Sequence, residues 1–269
     1  MSKANRILDR KSANALATPV SPFLGQLFGD RFIIEGGYGA RSVRIQKNKD
    51  VVIAGSHYES VYAVHDGWLF RYKILHNGSR QIVDFILPGQ FFGLQACFFK
   101  RSLYSVATVT EASLSTVPLG VIDKVFEQNL ELSKILFWSA VCESAILGEH
   151  LIDAGRRSAY ERVTHLLLEL FVRLTRVGKT EGMTFYMPLT QELIGDALGL
   201  TTVHVNRTLR SLRADKLIEI DGKSMTILDF EALSLLSDFE NSYLGEAVRA
   251  MRNQMSSPTS KDGSNPRSR

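Results

Sequence analysis

Short apolar runs broken by glycine and polar turns fill residues 31–118, whereas beyond Pro118 apolar positions return every three or four residues. The first half therefore predicts strands and the second half helices. Strand candidates are 43–45, 51–54, 60–64, 67–74, 80–87, 91–92, 104–108 and 113–117, with turn signals at Gly55-Ser56, Asp66-Gly67, Asn77-Gly78 and Pro88-Gly89. Turns every eight to twelve residues or so are the spacing of a sandwich or small barrel. The clearest hairpin joins 69–75 to 81–87 around Asn77-Gly78.

A short helix at 120–129 precedes a long one at 132–154, along which Ile135, Trp138, Cys142, Ala145 and Ile152 recur at three and four residues. Glu149 interrupts that seam. A stripe on so long a helix packs either on a second copy of itself or on the chain's own β-domain; dimerisation is the expectation carried forward. Gly155-Arg156-Arg157 then reads as a hinge. Ser158 and Glu161 make a capping box, opening an apolar helix through Val163, Leu166, Leu167, Leu170 and Leu174.

Residues 188–227 carry the chemistry. Thr190 caps a helix whose first turn holds Gln191 and Glu192 near the positive end of its dipole. Its apolar stripe is Ile194, Ala197 and Leu198, and the small Gly195 lets the next helix cross closely. Gly199 stops the helix, Leu200 tucks inward and Thr201 caps the next one. That second helix, at 202–214, turns Val205, Leu209 and Leu212 inward, with Thr208 beside them. Val203, Arg207 and Arg210 lie opposite, flanked by Thr202, His204 and Asn206, a set without a carboxylate. Arginine bridges guanine O6 and N7, asparagine pairs with adenine, and valine or threonine methyls pack on thymine. Arg210 and Arg213 lie further along, within reach of phosphates. A hairpin follows through an Asp221-Gly222 turn signal, placing Lys223 at its tip against a backbone. The alternative is two ordinary packed helices with a solvated basic face.

Charge alone does not find this face. From 188 to 228, Arg207, Arg210, Arg213, Lys216 and Lys223 balance Glu192, Asp196, Asp215, Glu219 and Asp221. The asymmetry is local: 201–213 holds three arginines and no acid, the electrostatic footprint of a double-stranded DNA partner.

The whole chain, 269 residues with net charge +4, 45% hydrophobic and 22% charged, has the composition of a soluble globular protein of two modest domains. Its basic excess sits largely in the ends, and residues 1–30 and 256–269 read as tails. No apolar run approaches the length of a membrane span and no signal peptide is apparent, so a cytoplasmic location without a membrane partner is expected. Cys97 and Cys142 are too few for a disulfide framework or a four-thiolate cluster, leaving redox sensing as a minor alternative.

A β-roll with D-G-W, N-G and L-P-G-Q-F-F-G turns, a long helix, and then T-Q-E-L-I-G-D-A-L-G-L-T-T-V-H-V-N-R with a wing resembles the Crp/Fnr family of bacterial transcription regulators. The likeness spans about 31–228, and G-L-T-T-V-H-V-N-R with R-R-S-A-Y-E-R-V before it resembles the α-proteobacterial branch. The resemblance implies an α+β chain. A sensory β-roll would occupy 31–130, a dimerisation helix 131–155, a winged helix-turn-helix 156–230, and a C-terminal helix and tail 231–269. It also implies a homodimer on a palindromic operator, half-sites one helical turn apart, and RNA polymerase as a partner. Thr202, Val203 and Arg207 match base-reading positions; Thr190, Gln191, Thr201 and His204 match positions near phosphates. Members that read guanine often have glutamate where this chain has Val203.

The signal end departs from the pattern. Cyclic-AMP-binding members have glycine-glutamate after the P-G-x-F turn and arginine-serine later. Here Gly93 precedes Leu94, Ser102-Leu103 takes the later place with Arg101-Ser102 as a shifted near-match, and the long helix offers Leu147-Gly148. Iron-sulfur members need four cysteines, usually three of them N-terminal. Neither cyclic AMP nor an iron-sulfur cluster is expected, and the effector is left unassigned. No catalytic or metal residues are assigned: His57, His65 and His76 do not form the H-x-H spacing of a cupin-type metal enzyme. A ligand-binding module that no longer binds DNA is the remaining rival.

Overall fold

A computed structural model describes residues 41–57, 59–241 and 243–244. The two expected tails, 1–30 and 256–269, fall outside the described residues. Eight strands form two antiparallel sheets. β1 (Arg41–Ile45), β8 (Ala112–Pro118), β3 (Ser60–Asp66) and β6 (Phe91–Phe92) make one; β2 (Asp50–Val52), β7 (Ser105–Thr108), β4 (Leu69–Ile74) and β5 (Arg80–Ile86) make the other. Between them Val64, Leu69, Ile86, Phe92, Val106 and Leu114 are buried, the inward half of each alternating strand. The strands match the pattern-based positions within a few residues. Gly67 is required where the chain turns from β3 to β4: its φ is 90°, and a Cβ there would lie 2.4 Å from the Glu111 carbonyl oxygen.

α1 (Leu119–Gln128) and α2 (Leu130–Arg156) follow, α2 capped by the Asn129 side chain accepting from Leu132 N. The inner face of α2 departs from the expected seam. Ile135 is 1% exposed, packed with Val61, Ile122 and Val125 of its own domain, and Trp138 and Cys142 line a cavity against the β-roll. Those three lie toward their own domain, Trp138 and Cys142 partly buried, and Ala145 is partly buried as well. Of the five residues expected at a dimer seam, Ile152 alone is exposed, at 46%. The open stripe is another one, with Leu130, Phe137, Val141 and Leu151 at 69, 71, 48 and 73% exposure.

The break after α2 also differs from expectation. Gly155 and Arg156 belong to the helix, and the chain turns extended only at Arg157. Arg157 is pinned by Asp153 at 2.8 Å and Glu149 at 3.1 Å, and it donates to the Asp238 carbonyl at 3.3 Å. Glu149, which broke the apolar seam in sequence, has its partner here.

α3 (Ala159–Arg176) starts at the Ser158/Glu161 capping box and is buried on every side from Val163 to Leu174. It lies between the β4–β5 sheet and the helices α4 (Gln191–Leu198), α5 (Thr202–Ala214) and α6 (Phe230–Ser237). The wing is larger than the sequence suggested. β11 (Ile218–Asp221) and β12 (Ser224–Ile227) pair with β10 (Thr184–Tyr186) and β9 (Thr180–Glu181) in a four-stranded sheet. Asp221 pairs with Ser224, so the wing turn is Gly222-Lys223, one residue later than the Asp221-Gly222 signal.

Candidate nucleic-acid interface

The reading helix is set by local chemistry. Thr190 Oγ1 accepts from Leu193 N at 3.2 Å and Thr201 Oγ1 accepts from His204 N at 3.3 Å, so both helices are capped as their sequences demand. Gly199 takes a left-handed φ of 65°. Leu200 N donates back to the Gly195 carbonyl at 3.0 Å, which closes a Schellman-type turn. Gly195 is constrained for a reason unlike the expected one. A Cβ there would meet the Leu200 carbonyl oxygen at 2.5 Å, so it is the turn, rather than a crossing helix, that demands glycine.

α5 buries Val205, Thr208, Leu209 and Leu212. That leaves Thr202, Val203 (71% exposed), His204, Arg207, Arg210 and Arg213 in solvent. Gln191, Thr202, Val203, Asn206, Arg207 and Arg210 line one open trough. Two of the predicted residues are less free than the sequence implied. Asn206 donates from Nδ2 to Gln191 Oε1 at 3.0 Å, tying the two helices together at the floor of the trough. Lys223, on the wing tip, holds its ammonium 5.9 Å from the Tyr186 ring centre. Behind the trough, the two acids of α4 turn to the β-roll: Arg80 reaches Asp196 at 2.7 Å and Glu192 at 3.4 Å. The solvent face of α5 is thus cationic and apolar, with no carboxylate of its own.

A second cluster escaped the sequence reading. Arg71 and Asp84 from the β-roll meet Glu143 and His150 from α2, and Glu169 and Arg173 from α3. Arg173 donates to Glu169 at 2.6 Å and to Asp84 at 3.3 Å, and His150 contacts Glu169 at 2.9 Å. Arg71 also donates to Glu143. Burial opposes charge on Glu169, yet His150 and Arg173 outweigh it and hold the carboxyl down at about 2. Burial likewise opposes charge on His150, and Glu169 more than offsets this, raising the imidazole to about 9. Nearby, the fully buried His165 stands 3.2 Å from Asp153. The sequence did hold the signal: His165, Glu169 and Arg173 recur every fourth residue inside an otherwise apolar helix.

The thiols and the nucleotide-like positions are occupied structurally. Burial pushes the Cys142 thiol up to about 11, and Cys97 is raised by the same cause, which suppresses the reactive thiolate. Arg101 donates to the Gly55 carbonyl at 2.7 Å, and Ser102 is buried, donating to the Tyr104 carbonyl.

A jelly roll, a long helix and a winged helix-turn-helix with a cationic reading face define a DNA-binding transcription regulator. Comparison with known proteins gives the lineage. A Crp-like helix-turn-helix domain matches residues 161–236 and a cyclic nucleotide-binding domain matches 42–129. The chain is 33% identical over 171 residues to the nitrogen fixation regulation protein FixK of Bradyrhizobium diazoefficiens, covering 63% of this chain and 70% of that one. It is 32% identical over 180 residues to the transcriptional activatory protein AadR of Rhodopseudomonas palustris, covering 65% and 74%. The structure of FixK2 from Bradyrhizobium japonicum superposes with a TM-score of 0.69 at 26% identity, over 75% of this chain and 98% of that one. The chain belongs to the Crp/Fnr family of transcription regulators, on its FixK-like branch.

Proposed function

We propose that the chain binds a palindromic operator as a homodimer and does no catalysis, with α5 of each copy in successive major grooves. The observation that carries this is the outer face of α5, where Thr202, Val203, Arg207 and Arg210 stand in solvent with no carboxylate among them. Arg207 and Val203 read bases; Arg210, Thr190, Thr201, His204 and Lys223 meet the phosphates that fix register. Asn206 and Gln191 act as a pair, each orienting the other. Selection of binding sites from random duplex DNA tests the reading. A symmetric enriched sequence is expected, and the absence of any enrichment overturns it.

The dimer seam in this reading is the open stripe of α2. Leu130, Phe137, Val141 and Leu151 fall at heptad spacing, with the small Ser144 and Gly148 between them and Gly155 just beyond, so two helices approach closely. Phe137→Glu is expected to convert the dimer to a monomer in analytical ultracentrifugation. By length and composition Leu132–Arg156 also passes for a membrane span, but its inner face packs on the β-roll and its outer face is this seam. A cytoplasmic protein that contacts RNA polymerase, with no membrane partner, follows from the same reading. Cyclic AMP and an iron-sulfur cluster are not its cofactors in this reading. Leu94 stands where a carboxylate would hold ribose, Arg101 is spent on its own backbone, and the two cysteines are dispersed.

A further inference from the structure

A cavity of about 110 Å³ lies where the β5–β6 turn, α2 and α3 meet. Gly89 of the turn, Trp138, Cys142 and Ile146 of α2, and Arg176 of α3 face it, and Leu244 lies at its edge. Gly93, Leu94, Ser102, Leu147 and Gly148, where the family resemblance would place a cyclic nucleotide, are not among its lining residues. It is a separate space, built jointly by the sensory and DNA-binding halves.

Its charges do not balance. Asp84 and Glu143 line the cavity but are engaged: with Glu169 they face Arg71, Arg173 and protonated His150, three carboxylates against three cations. Arg176 is left over. Among the described residues its one hydrogen bond is a 3.5 Å donation to the Asn241 carbonyl, and it has no carboxylate partner. Burial, uncompensated by an anion, brings its guanidinium down to about 10. Two further donors on wall residues, Trp138 Nε1 and Arg173 Nε, are buried without acceptors among the described residues, as is the Tyr243 hydroxyl. A half-buried cation on a wall that also holds idle donors is costly unless an acceptor arrives. Apart from Ser139 and Gln90, whose Oε1 already accepts from Arg173 and Leu87 N, the rest of the wall is apolar, including the Cys142 thiol, which burial keeps protonated.

We propose that this cavity binds a small apolar monocarboxylate, its carboxylate on the Arg176 guanidinium and its hydrocarbon against Trp138, Ile146 and Leu244. An apolar protein cavity of about 150 Å³ takes up benzene. A space of about 110 Å³ therefore suits a straight-chain acid of about four to six carbons.

The chain has two tryptophans, Trp68 and Trp138, so Trp68→Phe leaves Trp138 as a single fluorescent reporter in the wall. The full-length Trp68→Phe protein is titrated with acetate, butyrate, hexanoate and octanoate, each beside its primary amide, and with inorganic phosphate. Butyrate and hexanoate are expected to give a saturable change. Their amides, the shorter and longer acids, and phosphate are expected to bind at least about tenfold more weakly. Arg176→Gln lowers affinity for the acids by a similar factor and leaves the amides unchanged. Calorimetry on the unaltered chain gives the acid-to-amide ratio independently of how either variant folds. No saturable binding of any acid at millimolar concentration overturns the proposal. So do equal affinities for acid and amide, phosphate binding as tight as hexanoate, or undiminished acid binding by folded Arg176→Gln.

Discussion

α3 and α5 belong to the same small domain and each carries three arginines, yet they use charge in opposite ways. α5 turns its arginines out and buries only Val205, Thr208, Leu209 and Leu212; α3 is buried all round and carries Glu169 and Arg173 into the core. On α5 a charged group keeps its water until DNA replaces it, so single changes alter recognition and leave the fold intact. On α3 each charge has already lost its water and depends on its neighbours. The difference teaches that a polar residue's meaning is set by which face of the helix the fold covers, not by its type.

The contrast is most severely tested at Glu169. Glu169→Ala leaves Arg173 and His150 buried without their shared carboxylate, and an unfolding free-energy loss of about 3–5 kcal/mol is expected from urea denaturation. A loss below about 1 kcal/mol would mean that the network is solvated after all.

The same network gives stability a defined pH window. His150 has a folded pKa raised from 6.5 to about 9, so its contribution is full below 6.5 and disappears as pH rises through 9. Glu169 has a folded pKa lowered from 4.5 to about 2, so its contribution is full above 4.5 and disappears as pH falls through 2. Urea midpoints are expected to be highest between these limits, and His150→Gln should flatten the alkaline limb. An alkaline limb of unchanged slope in that variant would remove His150 from the account.

Gly195 lies between the two helices in kind, since its role is purely steric. Gly195→Ala drives a Cβ against the Leu200 carbonyl, and a loss of about 1–3 kcal/mol in thermal or chemical unfolding is expected. The smallest effect on stability belongs to Arg207. Arg207→Ala should leave unfolding within about 0.5 kcal/mol of the parent. It should weaken specific DNA binding by about 1–3 kcal/mol and relax preference at one base pair. Equal weakening on all sequences would reassign Arg207 to the phosphates.

The same contrast explains what could be read in advance. The strands, the capped helices and the outward face of α5 were legible because one side of each element meets water, and the alternation of residues records it. α2 defeated that logic because it carries two apolar stripes. Ile135, Trp138 and Cys142 face inward and Leu130, Phe137, Val141 and Leu151 face outward, and periodicity alone does not say which side the β-roll covers. The α3 network was hidden because His165, Glu169 and Arg173 sit in a run so apolar that their common face passed as noise. β9 and β10 were missed for a plainer reason: at two and three residues, beside Gly178 and Gly182, they are too short to show alternation.

The pinned joint at Arg157 bears on leverage. α2 runs 27 residues without a break, about 40 Å at helical rise. Arg157 is clamped to Glu149 and Asp153 of the last turns, and Arg162 of α3 donates back across the joint to the Arg157 and Ala154 carbonyls, so the joint ties the direction of that rod to α3. A tilt of about 5° at its Leu130 end displaces the far end by about 3.5 Å, close to the 3.4 Å rise of one base pair. On a rod of that length, a small angle at one end is a displacement of one base-pair step at the other.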